Sequence, residues 1–148
     1  MGELIGSIQA VIWEGLRMRP PVTLGVYKVL PVETTLCGVP LPAGTAVGFN
    51  AIAMMRRKDV FGQDSQLFRP ERFLECDNKT KTERINTVEL AFGYGRWMCA
   101  GKTLAMMELN KIFFEVSTHR KYYIYTTAPA QDFGSIRKWL TRSWLGSS

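Results

Sequence analysis

Histidine occurs once in this 148-residue chain, at His119, and cysteine three times, at Cys37, Cys76 and Cys99. None of the cysteines has a partner at Cys-x-x-Cys spacing. That leaves no disulfide framework to read and no clustered ligands for a structural zinc ion. A reducing compartment is the setting such cysteine usage fits. Long apolar runs are also missing: nothing approaches the ~18 residues needed to cross a bilayer. No basic-then-apolar leader opens the chain, and Gly6 stands where an N-myristoylation pattern needs Ser or Thr. Acidic residues are outnumbered, 13 against 19 Lys and Arg, which gives a net charge of +6. The basic clusters Arg56-Arg57-Lys58, His119-Arg120-Lys121 and Arg137-Lys138 come with no recognisable nucleic-acid module. Solvated surface, with positive charge suited to an acidic protein partner, is what they imply.

What remains is the composition of a globular domain, with 46% hydrophobic and 22% charged residues. Leu4, Ile8, Val11, Ile12 and Leu16 recur at the helical period, which predicts a helix from Glu3 to Met18. Arg19 precedes Pro20-Pro21, and a residue before proline is pushed out of the helical region, so the helix stops there. Val22 to Val29, Thr34 to Leu36 and Thr45 to Asn50 read as short strands around the turn Cys37-Gly38 and the run Val39 to Gly44. Asn50 to Met55 fits a short helix. Arg56 to Glu89 is polar and irregular, with Asp77 to Arg84 expected as a mobile surface insertion. Ala105, Leu109, Ile112, Phe113 and Val116 mark one face of a helix that starts near Ala100 and ends near Ser117. Core packing is the expected use of that face. Lys121 to Thr127 is strand-like. From Ala128 to Ser148 no clear period appears, although Trp139 and Trp144 lie there.

The most informative stretch is Phe92-Gly-Tyr-Gly-Arg-Trp-Met-Cys99-Ala-Gly101. A cysteine bracketed by glycines, just before a helix, is placed to form a thiolate. Helix N-terminal amides and neighbouring cations, here Arg96 and Lys102, lower a thiol's pKa. Such a sulfur can serve as a nucleophile or as a metal ligand. Gly93, Gly95 and Gly101 permit turns and close approach. Phe92, Tyr94 and Trp97 suggest something large and flat beside the sulfur.

This stretch resembles the haem-ligand loop of cytochrome P450s, Phe-x-x-Gly-x-x-x-Cys-x-Gly. Two upstream motifs follow the family's order. Glu14-Gly-Leu-Arg17 is similar to its Glu-x-x-Arg, and Phe68-Arg-Pro-Glu-Arg-Phe73 to its Pro-x-Arg-Phe element. Glu14 and Arg17 leave one helical face and can pair. The resemblance implies that Arg72 joins them, so that the buried trio locks one geometry. The runs Arg17-Met-Arg-Pro-Pro21 and Phe92 to Trp97 look like those of fungal specialised-metabolism members. The resemblance extends from about Ser7 to about Thr127.

The resemblance implies a mainly α fold with a small β-sheet. Residues 1–148 would form the C-terminal, haem-ligating portion of a P450 domain. It implies haem b as cofactor, with Cys99 as axial iron ligand, Phe92 packing against the thiolate side of the haem to limit water there, and Gly93 and Gly101 among the residues of the binding loop. The activity implied is monooxygenation of a small organic substrate, with NADPH-derived electrons delivered by NADPH-cytochrome P450 reductase. A full-length parent would sit at the endoplasmic reticulum membrane. Haem propionates need cations. Lys28 stands where the family places a basic residue, and Arg96 is the second candidate. Here the sequence departs from the family, which usually has Arg two residues before the cysteine, where this chain has Trp97. The alternative reading is a non-catalytic remnant that holds haem weakly or not at all. The Ala/Gly-Gly-x-Asp/Glu-Thr pattern of the family's oxygen-activating helix is absent from the sequence.

Overall fold

A computed structural model of the chain describes residues 2–23 and 25–118. The expected strand at Lys121 to Thr127, the tail from Ala128 and His119 lie outside the described residues. Helix α1 (Gly2–Met18) is the spine of the fold. Its Ala10, Glu14 and Arg17 recur at helical spacing and all three are buried, so the inward stripe begins apolar and ends charged. Ala10 joins Met55, Val60, Phe61, Phe73 and Val88 in the core, with Trp13, Leu16, Met54, Ile85 and Ala91 packed around it.

After α1 come four short strands: β1 (Lys28–Val29), β2 (Thr34–Leu36), β3 (Val39–Leu41) and β4 (Ala46–Val47). They form two antiparallel ladders, β2 with β3 inside and β1 with β4 outside. Cys37-Gly38 closes the inner hairpin, with both residues at positive φ as a two-residue turn of this hand requires. The expectation of a strand over Val22 to Val29 shrinks to its last two residues. Val39–Leu41, read as part of a turn, is instead a strand. Val26, Val29, Val32 and Val39 are all exposed, so these β-prone residues lack the buried face that would extend a ladder.

Short helices α2 (Ala51–Met55) and α3 (Lys58–Phe61) then deliver Met55, Val60 and Phe61 to the core. The Asn50 side chain accepts from the Ala53 amide and caps α2. A 3₁₀ turn over Pro70–Phe73 follows.

The mobile insertion expected at Asp77 to Arg84 is corrected. That segment opens helix α4 (Asn78–Glu89), capped by Asp77, whose carboxylate accepts from the Lys79 amide (2.9 Å), the Thr80 amide (3.0 Å) and the Thr80 hydroxyl (2.6 Å). These bonds, led by the one from the Thr80 hydroxyl, hold the Asp77 carboxyl below its ordinary range. Arg84 fastens the helix by donating to the carbonyls of Val60 and Arg72, and Val88 is buried beneath it.

Helix α5 (Lys102–Thr118) starts two residues later than the sequence suggests and packs on α1. An open groove of about 180 Å³ between the two is lined by Val11, Ile12, Gly15, Leu16, Leu109 and Phe113. The expectation that the α5 stripe is buried core is also corrected. Ala105, Leu109, Phe113 and Val116 are only partly covered, and Ile112 is 56% exposed. In the described structure the stripe faces one neighbouring helix, too little to bury it. No helix among the described residues is long and apolar enough to cross a membrane.

Candidate cofactor site

The segment between α4 and α5 is a closed loop built from turns. A 3₁₀ turn over Leu90–Phe92 ends at Gly93, and a second over Gly95–Trp97 leads to extended Met98. The Cys99 amide then donates to the Phe92 carbonyl at 2.7 Å, which shuts the loop. At its base Lys102 Nζ lies 2.7 Å from Glu89 Oε2, pinning the start of α5 to the end of α4. Lys102 was expected to add positive charge beside the sulfur. Its ion pair with Glu89 instead makes it a clasp for the loop ends.

Within this frame Cys99 is exposed. Gly101 presents no side chain beside it; a Cβ at position 101 would stand 3.8 Å from the sulfur, an ordinary contact. Tyr94, Trp97 and Met98, all large, are exposed in the same loop, whereas Phe92 is half-buried. Cys37 is exposed on a hairpin tip and Cys76 is half-buried; neither sits in such a loop. Among the described residues, no three His, Cys, Asp or Glu side chains are grouped to hold a metal ion.

Elsewhere in the fold lies a buried charge cluster. Arg17 Nε donates to Glu14 Oε2 and Arg17 Nη2 to Glu14 Oε1, each at 2.8 Å. This is the bidentate geometry that a guanidinium fork provides. Arg72 Nε reaches Glu14 Oε1 at 3.1 Å, and the Arg69 amide donates to the same oxygen at 2.7 Å. The side chains of Glu14 and Arg17 have no exposure at all. Their remaining bonding capacity is met by the backbone. Arg17 donates to the carbonyls of Met55 (2.9 Å), Ser65 (2.7 Å) and Leu67 (3.0 Å), and Arg72 to those of Phe61, Asp64 and Leu67. The cluster thereby ties α1 to the 60s loop and to the Pro70–Phe73 turn.

Sequence reasoning missed Asp64, which accepts from Arg72 (3.0 Å) and Arg69 (2.8 Å). Burial pushes its carboxyl up, but the bonds from Arg69 and Arg72 outweigh that and leave it below the ordinary range. The sign follows. A carboxyl depressed in the folded state binds protons less readily than in the unfolded chain, so it stabilises above the unfolded value of ~3.9 and loses this as pH falls through the folded value. Asp64→Asn should therefore lower urea stability at pH 7. The gap to the parent chain should close as pH drops below about 4. A gap independent of pH would show that the Asp64 charge plays no part.

The two candidate cations for carboxylate binding, Lys28 on β1 and Arg96 in the cysteine loop, are brought together by Trp97, which the sequence suggested only as part of an aromatic set beside the sulfur. Lys28 Nζ and the Arg96 guanidinium carbon each lie 4.9 Å from the centre of the Trp97 ring. Both distances are within cation–π range. Neither the aromatic set nor the departure from the family pattern at position 97 reveals this stacking.

With this geometry in view, the comparisons with known proteins are direct. The family model for cytochrome P450 matches residues 5–116. A cytochrome P450 monooxygenase of Pyricularia oryzae, ABA1, is 46% identical over 121 residues, covering 81% of this chain and 24% of the relative. A cytochrome P450 monooxygenase of Leptosphaeria maculans, abl1, is 51% identical over 110 residues, covering 73% of this chain and 19% of the relative. Among solved structures, the retinoic acid-bound cyanobacterial CYP120A1 aligns with a TM-score of 0.64 at 26% identity, over 74% of this chain and 25% of that one. The chain thus spans about a quarter of the length of the relatives it matches.

Proposed function

The chain belongs to the cytochrome P450 family, and we propose that it forms the C-terminal, haem-ligating portion of a monooxygenase, with Cys99 as the axial ligand of the iron. The observation that carries this reading is the state of Cys99: an exposed thiol in a loop shut by the Phe92 carbonyl, with no side chain on Gly101 beside its sulfur. The residues present fit a haem. One soft sulfur donor stands free, Met98 offers exposed apolar surface to a flat ring, and Lys28 and Arg96 supply charge for its carboxylates. When bound, the haem supplies oxygen activation, which thiolate ligation favours by pushing electron density toward O–O cleavage.

The chain's own residues do the holding. The Cys99 amide is committed to the Phe92 carbonyl, so the backbone cannot swing the sulfur away. The Lys102–Glu89 pair joins the ends of the two helices between which the loop is hung, and the Glu14–Arg17–Arg72 cluster holds α1 to the 60s loop and the Pro70–Phe73 turn. A small organic substrate, electrons from NADPH-cytochrome P450 reductase and an endoplasmic reticulum location for the parent protein belong to the same proposal. They rest on family membership and on the fungal monooxygenases this chain resembles.

The test is a haem titration followed by reduction under carbon monoxide. The chain should give the red-shifted Soret band of thiolate ligation. Cys37→Ser and Cys76→Ser should keep that band, and Cys99→His should abolish it. Loss of the band in either of the other cysteine variants, with retention in Cys99→His, would move the ligand elsewhere.

A further inference from the structure

Two cations resting on one indole, with no carboxylate between them, form an unusual pair. Among the described residues neither Lys28 nor Arg96 has an ion-pair partner, although they approach Trp97 from elements far apart in the sequence. Like charges repel, and long flexible side chains resist being ordered, so both would disperse into solvent unless something held them. The negative face of an aromatic ring is what holds them here. Trp97 is itself 60% exposed, so it is not spent on the core. It also lies two residues before Cys99, at the position where the family usually supplies an arginine.

We infer that Trp97 is a positioning residue: it holds Lys28 and Arg96 together as a paired receptor for the carboxylates of the tetrapyrrole bound at Cys99. Binding at a carboxylate edge is then indirect at position 97. The aromatic ring replaces a charged side chain by gathering two charges, one from the β-ladder and one from the cysteine loop. Pre-ordering removes the cost of immobilising each long side chain when the ligand arrives. This inference rests on the haem-ligating reading above.

The experiment compares haem with its dimethyl ester, which lacks both carboxylates, by equilibrium Soret titration of the full chain. The parent chain should prefer the free acid. Trp97→Leu, which keeps an apolar side chain and removes the ring, should cut that preference about tenfold, the scale of two exposed cation–π contacts. Trp97→Phe, which keeps a ring face, should retain most of the preference. All three chains should show the same thiolate band under carbon monoxide. In a Lys28→Gln, Arg96→Gln background, Trp97→Leu should have no further effect on the preference. A further loss there would mean that the indole N–H contacts the carboxylate itself. Equal weakening of acid and ester in Trp97→Leu would reduce Trp97 to a packing surface and overturn the inference. So would an unchanged preference. A thiolate band with no Trp97 effect sinks this inference alone, whereas absence of the band in the parent chain sinks the haem-ligating reading beneath it.

Discussion

Arg17→Ala should lower the stability of the chain by about 3–5 kcal/mol, the usual effect of removing one partner from a buried ion pair. The cost comes mainly from what is left behind. Glu14 would keep a carboxylate with no exposure while losing both bonds of its bidentate partner. The Met55 and Ser65 carbonyls would each lose the Arg17 Nη1 donor that they share. Arg72 cannot compensate, because its Nε already donates to Glu14 and its other donors are committed to Phe61, Asp64 and Leu67. Since a domain holds only about 5–15 kcal/mol in all, this loss takes a large fraction of the total. Urea unfolding followed by circular dichroism should show the midpoint collapse. Arg17→Lys should fall in between, because an ammonium keeps the charge but lacks the planar fork. Arg57→Ala, which breaks an exposed pair with Asp59, should change little. Equal effects in Arg17→Ala and Arg57→Ala would show that the buried cluster has no special hold on the fold.

Gly93→Val should leave the core standing and disable the cysteine loop. Gly93 sits at φ 80 and ψ −174, a region essentially reserved for glycine, where any other residue costs ~1–3 kcal/mol. Space is the second obstacle: a Cβ there would lie 2.7 Å from the Trp97 carbonyl oxygen. Both strains relax only if the Gly95–Trp97 turn moves away, and that movement breaks the Cys99 amide bond to Phe92. Haem affinity should drop at least tenfold, while the urea midpoint shifts far less than in Arg17→Ala. Gly95→Ala is the matched control. It also has positive φ, at 59°, but a Cβ there meets nothing within 4 Å, so its loss should be smaller. Indistinguishable haem affinities for Gly93→Val and the parent chain would mean that the loop geometry does not govern the sulfur.

Features visible in the sequence were those with a strong local period or a dense motif. Helix α1 announces itself because Leu4, Ile8, Val11 and Ile12 repeat at 3.6 residues and Pro20 stops the run. The cysteine loop announces itself through glycines at spacings that few other structures need. Helix α4 does not, because its sequence is almost entirely polar and its inward face is one valine, one half-buried isoleucine and an arginine. Its stability comes from the Asp77 cap and from Arg84 reaching carbonyls of residues outside the helix, neither of which has a periodic signature. Strand lengths were overread for the opposite reason. Val22, Val26 and Val29 have high β-propensity, but propensity reflects packing on a half-buried pleat, and these side chains face solvent. The Glu14–Arg17 pair is written into a helix face, whereas Asp64 and Arg69 join it only through tertiary folding. Trp97 looks like a departure from a pattern until Lys28 is seen on its ring.

We propose that the Cys99 sulfur binds the haem iron. X-ray absorption at the iron edge of the haem-loaded chain addresses it without relying on turnover. One sulfur scatterer is expected in the first shell of the parent chain, retained in Cys37→Ser and Cys76→Ser and missing in Cys99→Ser. A first shell of nitrogen and oxygen alone in the parent chain, or a sulfur that survives in Cys99→Ser, would contradict it.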